Sequence, residues 1–216
     1  MNTPENREQL AELMFEVFNF KGMFIATQAL LAIISKAWDN VNNLSYTGIC
    51  LDIGDGVSHA IPVYECYTID NAIKSVPIAG RVLTNFISDI IMKREKLPNT
   101  NMNNKIARQI KETLCYCQTG SFVDEFGSFK PIIAHDILGT KVDIGPEAFV
   151  APEIFFDPNI YSPQYSQSIT QIIFDAIQDC PIDCRKAMYK NIYLSGGSTC
   201  LKGFAERLQG EMEALV

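Results

Sequence analysis

Two glycine-bearing stretches carry the residue types best suited to gripping an anion. The first is Asp52-Ile-Gly-Asp-Gly, set between apolar runs at 49–51 and 57–64. The second is Leu194-Ser-Gly-Gly-Ser-Thr, which ends an apolar run at 191–194. Glycine lets a backbone come close to a ligand, and successive N–H groups at a bend or a helix start attract phosphate oxygens. Asp52 could stand behind hydrated magnesium, because Mg2+ keeps several waters and takes only one or two carboxylates. Each stretch also has a plain structural reading. Asp55-Gly56 is a dipeptide suited to a two-residue hairpin loop, and Gly196-Gly197 suits a left-handed turn.

The elements that must position these stretches follow from periodicity. Residues 47–53 and 57–64 are rich in β-branched side chains and flank the first bend, so a hairpin is expected, with a third strand including 67–69. Residues 191–194 read as a strand feeding the second bend, with a helix from 201 onward. Thr3-Pro4 has the form of an N-cap with proline in the first turn. A short strand is expected over 22–25. Residues 27–38 are apolar nearly all round, which implies a helix buried between other elements. A polar loop follows at 39–45. Helical spacing recurs over 78–93, 105–117, 168–176 and 183–189, with an Asn-rich connector at 99–104. Residues 119–152, punctuated by glycine and proline, read as loops and short strands. The overall class is α/β.

Composition bounds the partners. The 216 residues are 47% hydrophobic and 20% charged, so a packed core is expected. Acidic residues outnumber basic ones, 25 to 18, and such a surface repels a phosphate backbone, which argues against nucleic acid. The 7 cysteines include Cys115-x-Cys117 and Cys180-x3-Cys184, spacings that match no common zinc pattern. They read as reduced, mostly buried thiols of an intracellular protein. The first residues lack the basic-then-apolar order of a signal peptide. The most apolar segment, 23–34, contains Thr27 and Gln28 and is too short to cross a bilayer, so membrane insertion is not expected and a cytoplasmic protein is.

Taken together, the motifs resemble a known family. Asp52-Ile-Gly-Asp-Gly-Val-Ser-His is similar to the second phosphate-binding loop of the actin superfamily, Ile110-Lys-Glu-Thr-Leu-Cys-Tyr to its purine-side helix, and Leu194-Ser-Gly-Gly-Ser-Thr to its adenosine motif. Asn2-Thr-Pro-Glu-Asn-Arg-Glu, Val76-Pro-Ile-Ala-Gly-Arg, Pro152-Glu-Ile-Phe-Phe-Asp-Pro and Asp179-Cys-Pro-Ile-Asp-Cys-Arg resemble its actin-related branch. The resemblance implies a two-lobed, ribonuclease H-like ATPase fold with ATP and Mg2+ in the cleft. This chain would supply mainly the second lobe, subdomains 3 and 4. Residues 1–34 would be a remnant of the first lobe, 35–78 and 165–216 the subdomain 3-like core, and 79–164 a subdomain 4-like insertion. The first phosphate loop and the family's final elements are not found in the sequence, so a partial chain is expected.

The same resemblance assigns roles. Gln28 would orient the water that attacks the γ-phosphate, helped by His59. Asp52 would hold magnesium through water. Gly54, Asp55, Gly56 and Val57 would line phosphates and ribose, Lys111 and Glu112 would flank purine and ribose, and Gly196, Gly197 and Ser198 would contact adenosine and phosphate. Read locally, Gln28 could bond nearby backbone, His59 could be structural, Lys111-Glu112 could be solvated surface, and Arg81 and Arg185 suit salt bridges. Three departures from the family pattern stand out: Ile53 for serine, Val82 for aspartate, and Cys200-Leu201 for a methionine-aromatic pair. The implied function is an ATP-binding structural subunit, at most a weak ATPase. Its implied partners are actin-related protein 2, the other subunits of a complex that nucleates branched actin filaments, and actin filaments in the cytoskeleton. The alternatives are a phosphotransferase or chaperone-type ATPase of the same superfamily, or a non-functional fragment.

Overall fold

The computed structural model describes residues 2–39, 46–95, 101–118, 133–137 and 140–216. A five-stranded sheet organises the chain. Strand β1 (Gly48–Ile53) pairs antiparallel with β2 (Ser58–Tyr64), from Gly48 opposite Val63 to Ile53 opposite Ser58. On its other side β1 pairs parallel with β7 (Ile192–Ser195), which sets Asp52 beside Ser195. The short strands β3 (Tyr67–Thr68) and β4 (Lys74–Val76) share the free edge of β2.

Alternation along β1 divides its side chains between two cores. Ile49, Leu51 and Ile53 face the larger one, built with α6 (Ile169–Gln178), α7 (Ile182–Lys190) and α8 (Phe204–Leu215). Ser168 starts α6 by accepting from the Gln171 N–H at 3.2 Å, an N-cap bond that satisfies one of the helix's open donors. Cys50 faces the smaller core, closed by Ala29 and Ile33 of α2 (Gln28–Asp39). That helix packs along one face only: Gln28, Leu31 and Ser35 are exposed, so the expectation of a helix buried on all sides is corrected.

Helices α3 (Gly80–Glu95) and α4 (Asn101–Thr113) lie together and carry Leu83, Ile87, Ile106 and Ile110 into the same larger core. Helix α4 starts inside the Asn-rich stretch expected to be a connector. A hairpin of β5 (Ile133–Ile137) and β6 (Thr140–Ile144) follows, and then α5 (Glu147–Glu153), a helix where loops were expected. Pro152 cannot donate to the Ala148 carbonyl, and the Tyr116 N–H takes that acceptor instead at 3.1 Å. Arg94 ties α3 to α5 through Glu147 at 2.7 Å and also donates to the Asp143 carbonyl.

At the N-terminus, Thr3 caps α1 (Pro4–Glu12), accepting from the Asn6 N–H at 3.3 Å. A π-helical turn, Leu13–Val17, follows. Residues 22–25 form no strand, because no described residue pairs with them. Phe15, Val17, Phe18, Phe20 and Phe24 are all exposed. No helix of the described residues is long and apolar enough to cross a membrane. The loop expected at 39–45 and the expected loops at 119–132 lie outside the described residues, Asp39 apart.

Candidate functional site

The Asp55-Gly56 bend is not the primed turn that a tight hairpin favours. Neither Gly54 nor Gly56 takes the left-handed φ such a turn requires. One closing bond survives, from the Gly54 N–H to the Val57 carbonyl at 3.4 Å. The Gly54 carbonyl serves other elements: it accepts from the Gly80 N–H at 3.0 Å and from the Ser198 hydroxyl at 3.3 Å. The Asp55 carbonyl accepts from the Arg81 N–H at 2.8 Å. The first donors of α3 therefore hold the bend by its oxygens. Its own N–H groups at Asp55, Gly56 and Val57 make no hydrogen bond among the described residues.

The second bend is fitted directly against the first. Gly196 has φ 90° and ψ 151°, a conformation that is essentially glycine's alone. A 3-10 turn, Gly197–Cys200, follows it, and the N–H groups of Gly197 and Ser198 are likewise unbonded among the described residues. The two bends meet at a shared cleft of about 600 Å³, which takes Gly54 and Asp55 from the first and Gly197 and Ser198 from the second, whereas Gly56, Val57 and Gly196 do not line it. Gly54, Asp55, Gly197, Ser198, Lys111 and Glu112 line it, as do Cys200 and Leu201, read in the sequence as a departure from the family pattern, and five residues given no role there: Gly80, Arg108, Thr113, Cys115 and Lys202.

Lys111 lies at the junction of all these elements. It is only 9% exposed, donates to the Gly80 carbonyl at 3.0 Å, and makes no ion pair among the described residues. Burial holds its ammonium below the ordinary lysine range, with Glu112 and Asp55 pulling the other way. This is the kind of charge that an incoming anion would neutralise. The solvated-surface reading of Lys111 is corrected, whereas Glu112 is exposed and paired with Arg108 at 2.9 Å. Gly80 is needed here because a β-carbon would stand 2.9 Å from the Ser198 hydroxyl and 3.0 Å from the Lys111 ammonium. Its sequence signal was a glycine immediately before a helical run, in Val76-Pro-Ile-Ala-Gly-Arg.

The remaining expected residues stand elsewhere. Asp52 and His59 are cross-strand partners, on the face of the hairpin that carries Cys50 and packs against α2. Asp52 still reaches the second bend, its Oδ1 lying 3.0 Å from the β-carbon position of Gly196. Burial lowers the His59 pKa, with Asp52 opposing, and the His59 Nδ1 is buried without a partner among the described residues. Gln28, at the first residue of α2, is exposed and lines no part of the cleft. Arg81 binds Asp55 at 2.7 Å at the rim, the salt-bridge role read for it. Arg185 instead holds the turn before α7, donating to the carbonyls of Cys180 and Gln178 and to the Gln178 side chain. Val82 and Ile53 pack into or against the larger core. All the described cysteines are free thiols, as expected, and Cys66 and Cys200 are exposed.

Comparison with known proteins is consistent with this arrangement. A family model described as Actin matches residues 1–216. The chain is 42% identical over 228 residues to actin-related protein 3 of Dictyostelium discoideum, covering 100% of this chain and 54% of the relative. The same-named protein of Caenorhabditis elegans is 42% identical over 228 residues, with 100% and 53% covered. That of Neurospora crassa is 43% identical over 227 residues, with 100% and 51% covered. The chain spans about half the length of these relatives.

Proposed function

The chain belongs to the actin family, and from that premise we propose that it is an actin-related protein 3-like chain whose cleft holds the phosphates of magnesium-bound ATP. The carrying observation is the convergence of both glycine bends and the buried Lys111 on one hollow. N–H groups unbonded among the described residues supply short-range donors on both bends, and Lys111 supplies a cation with no carboxylate partner among those residues. That donor set fits a triphosphate.

Magnesium fits in a narrower sense. No cluster of three or more His, Cys, Asp or Glu among the described residues could hold a metal alone. A single carboxylate, Asp52, suits an ion held mostly by phosphate and water. When bound, the ion would neutralise charge on the phosphate oxygens. His59, neutral at pH 7 because burial lowers its pKa, can orient a water without adding charge. With Gln28 exposed at the start of α2, hydrolysis is slow at most, and the proposed role is assembly. The proposed partners are actin-related protein 2, the other subunits of a filament-branching complex, and actin itself, in the cytoplasmic actin cytoskeleton.

Cys200 lines the cleft and Cys66 does not, and both are exposed. Alkylation of the full chain read by peptide mass spectrometry therefore tests the reading. Mg-ATP is expected to slow modification of Cys200 several-fold and leave Cys66 unchanged. Equal labelling of Cys200 with and without millimolar Mg-ATP would sink it.

A further inference from the structure

Ser58 opens β2 just after the first bend and is fully buried, at 0% exposure. It is paired on both sides, opposite Ile53 of β1 and opposite Val76 of β4. Val76 ends β4, and Pro77 has no N–H with which to continue the ladder. Residues 77–79 then cross to the start of α3, with Ile78 and Ala79 burying their side chains in the larger core. Midway along this crossing, the Ile78 carbonyl accepts from the Ser58 hydroxyl.

These contacts close a ring. Ser58 holds Ile78, and two residues further on the Gly80 N–H donates to the Gly54 carbonyl at 3.0 Å. The Arg81 N–H donates to the Asp55 carbonyl at 2.8 Å, and the bend leads from there back to Ser58. From the other side, Lys111 of α4 donates to the Gly80 carbonyl at 3.0 Å.

We propose, on the reading that the cleft holds phosphates, that Ser58 is a positioning residue that aims the first bend at them through the start of α3. Ser58 does not line the cleft, so its influence passes through the crossing. The Gly54 carbonyl and the Asp55 N–H belong to one planar trans peptide and point in opposite directions. Holding that oxygen on Gly80 therefore fixes where the Asp55 N–H points, and Gly54 and Asp55 both line the cleft. Without the Ser58 hydroxyl, a carbonyl in a buried residue loses its donor and the crossing is held less firmly, so the grip on the bend loosens with it.

Amide hydrogen exchange and calorimetry on the full chain separate positioning from plain stabilisation. In ligand-free Ser58→Ala, the Gly80 and Arg81 amides should exchange about fivefold faster or more, the size expected for a buried acceptor left unpaired. Amides in the middle of β1 should change less. Affinity for Mg-ATP should fall at least about threefold, since only part of the bend's donor set is misdirected. Ser88→Ala deletes a buried hydroxyl of α3 that has no partner among the described residues, and it should leave both readouts at parent values. Ser58→Cys, similar in shape with a weaker donor, takes the same measurements if the alanine chain does not fold. Equal acceleration across β1 and α3 would make Ser58 an ordinary stabilising residue and overturn the inference. So would parent-like affinity in the variant, or a Ser88→Ala chain that behaves like Ser58→Ala. A parent chain that binds no Mg-ATP overturns the nucleotide reading itself, and this inference with it.

Discussion

The α-carbon of Gly196 rests on the main chain of Ile53 so closely that a β-carbon would stand 2.2 Å from the Ile53 carbonyl oxygen. This contact joins the end of β7 to the end of β1 and sets the separation of the two bends. Parallel pairing brings Asp52 beside Ser195, and the turn at Gly196 then crosses over the first bend. The cleft is thus a consequence of strand register and needs no long loop to close it.

Replacing Gly196 by alanine should therefore damage the fold and the site together. The backbone conformation alone costs a side chain on the order of 1–3 kcal/mol. The overlap with Ile53 and with the Asp52 carboxylate, 3.0 Å away, adds to it. A fall in melting temperature of at least about 5 °C is expected, since each kcal/mol moves a chain of this size by about 2–4 °C. Differential scanning calorimetry checks it, and an unchanged midpoint would mean that the turn is free to relax.

Two arginine–carboxylate pairs should behave very differently. Arg207 and Glu153 meet at 2.6 Å with side chains 15% and 10% exposed, and the guanidinium also lies 4.9 Å from the Phe156 ring centre. Burial pushes the Glu153 carboxyl above the usual range, and Arg207 opposes that rise. Arg207→Met keeps the stem on Phe156 but strands a buried carboxylate, which should cost about 3–5 kcal/mol. Arg81 and Asp55, 68% and 65% exposed, meet at 2.7 Å in water, and Arg81→Ala should cost less than about 1 kcal/mol. Urea midpoints measured side by side test the contrast. Equal losses would show that burial does not set the difference.

Acid should weaken the fold partly through His59. Burial holds its imidazole below the ordinary value of about 6.5, so the folded chain favours the neutral ring. The resulting stability is complete above the unfolded value and declines as pH falls below about 6.5 towards the folded value. His59→Gln should therefore flatten urea midpoints between pH 7 and pH 5 relative to the parent chain. Parallel curves for the two proteins would remove His59 from the acid response.

Much of this site was legible because glycine and alternation act locally. The hairpin, the β7 junction and the helices at 78–93, 168–176 and 183–189 are set by short-range pattern, and the structure has an element at each. Errors arose where tertiary partners decide. Residues 22–25 have strand composition but nothing to pair with, so composition alone does not make a strand. Helix α5 was hidden because Pro146 and Pro152 look like loop punctuation, yet Tyr116 satisfies the carbonyl that Pro152 leaves open. Gln28 and His59 were grouped with the phosphate bends by family resemblance alone; strand register sets His59 beside Asp52 on the face that packs against α2, the helix that Gln28 begins. Lys111 looked like surface in an isolated helix. Only the packing of α4 against the start of α3 buries it.

That burial makes Lys111 the sharpest test of an anion-binding role. A structural lysine would be missed mainly by the fold, whereas a ligand-seeking one would be missed mainly by the ligand. Lys111→Met keeps the aliphatic stem, loses the bond to the Gly80 carbonyl, and removes a buried charge that has no ion-pair partner among the described residues. The lost bond and the removed desolvation cost oppose each other, so the urea midpoint should shift by less than about 1 kcal/mol. Affinity for Mg-ATP should fall at least tenfold, because a charge-assisted bond to phosphate is lost from a poorly solvated site. The pH dependence follows from the same burial. Since the free ammonium lies below the ordinary lysine range, it deprotonates early as pH rises, and parent affinity should decline through the alkaline range while the methionine variant stays flat. Titrations from pH 7 to pH 10 decide it: a variant that binds Mg-ATP as tightly as the parent, or a parent curve with no alkaline decline, would separate Lys111 from the ligand.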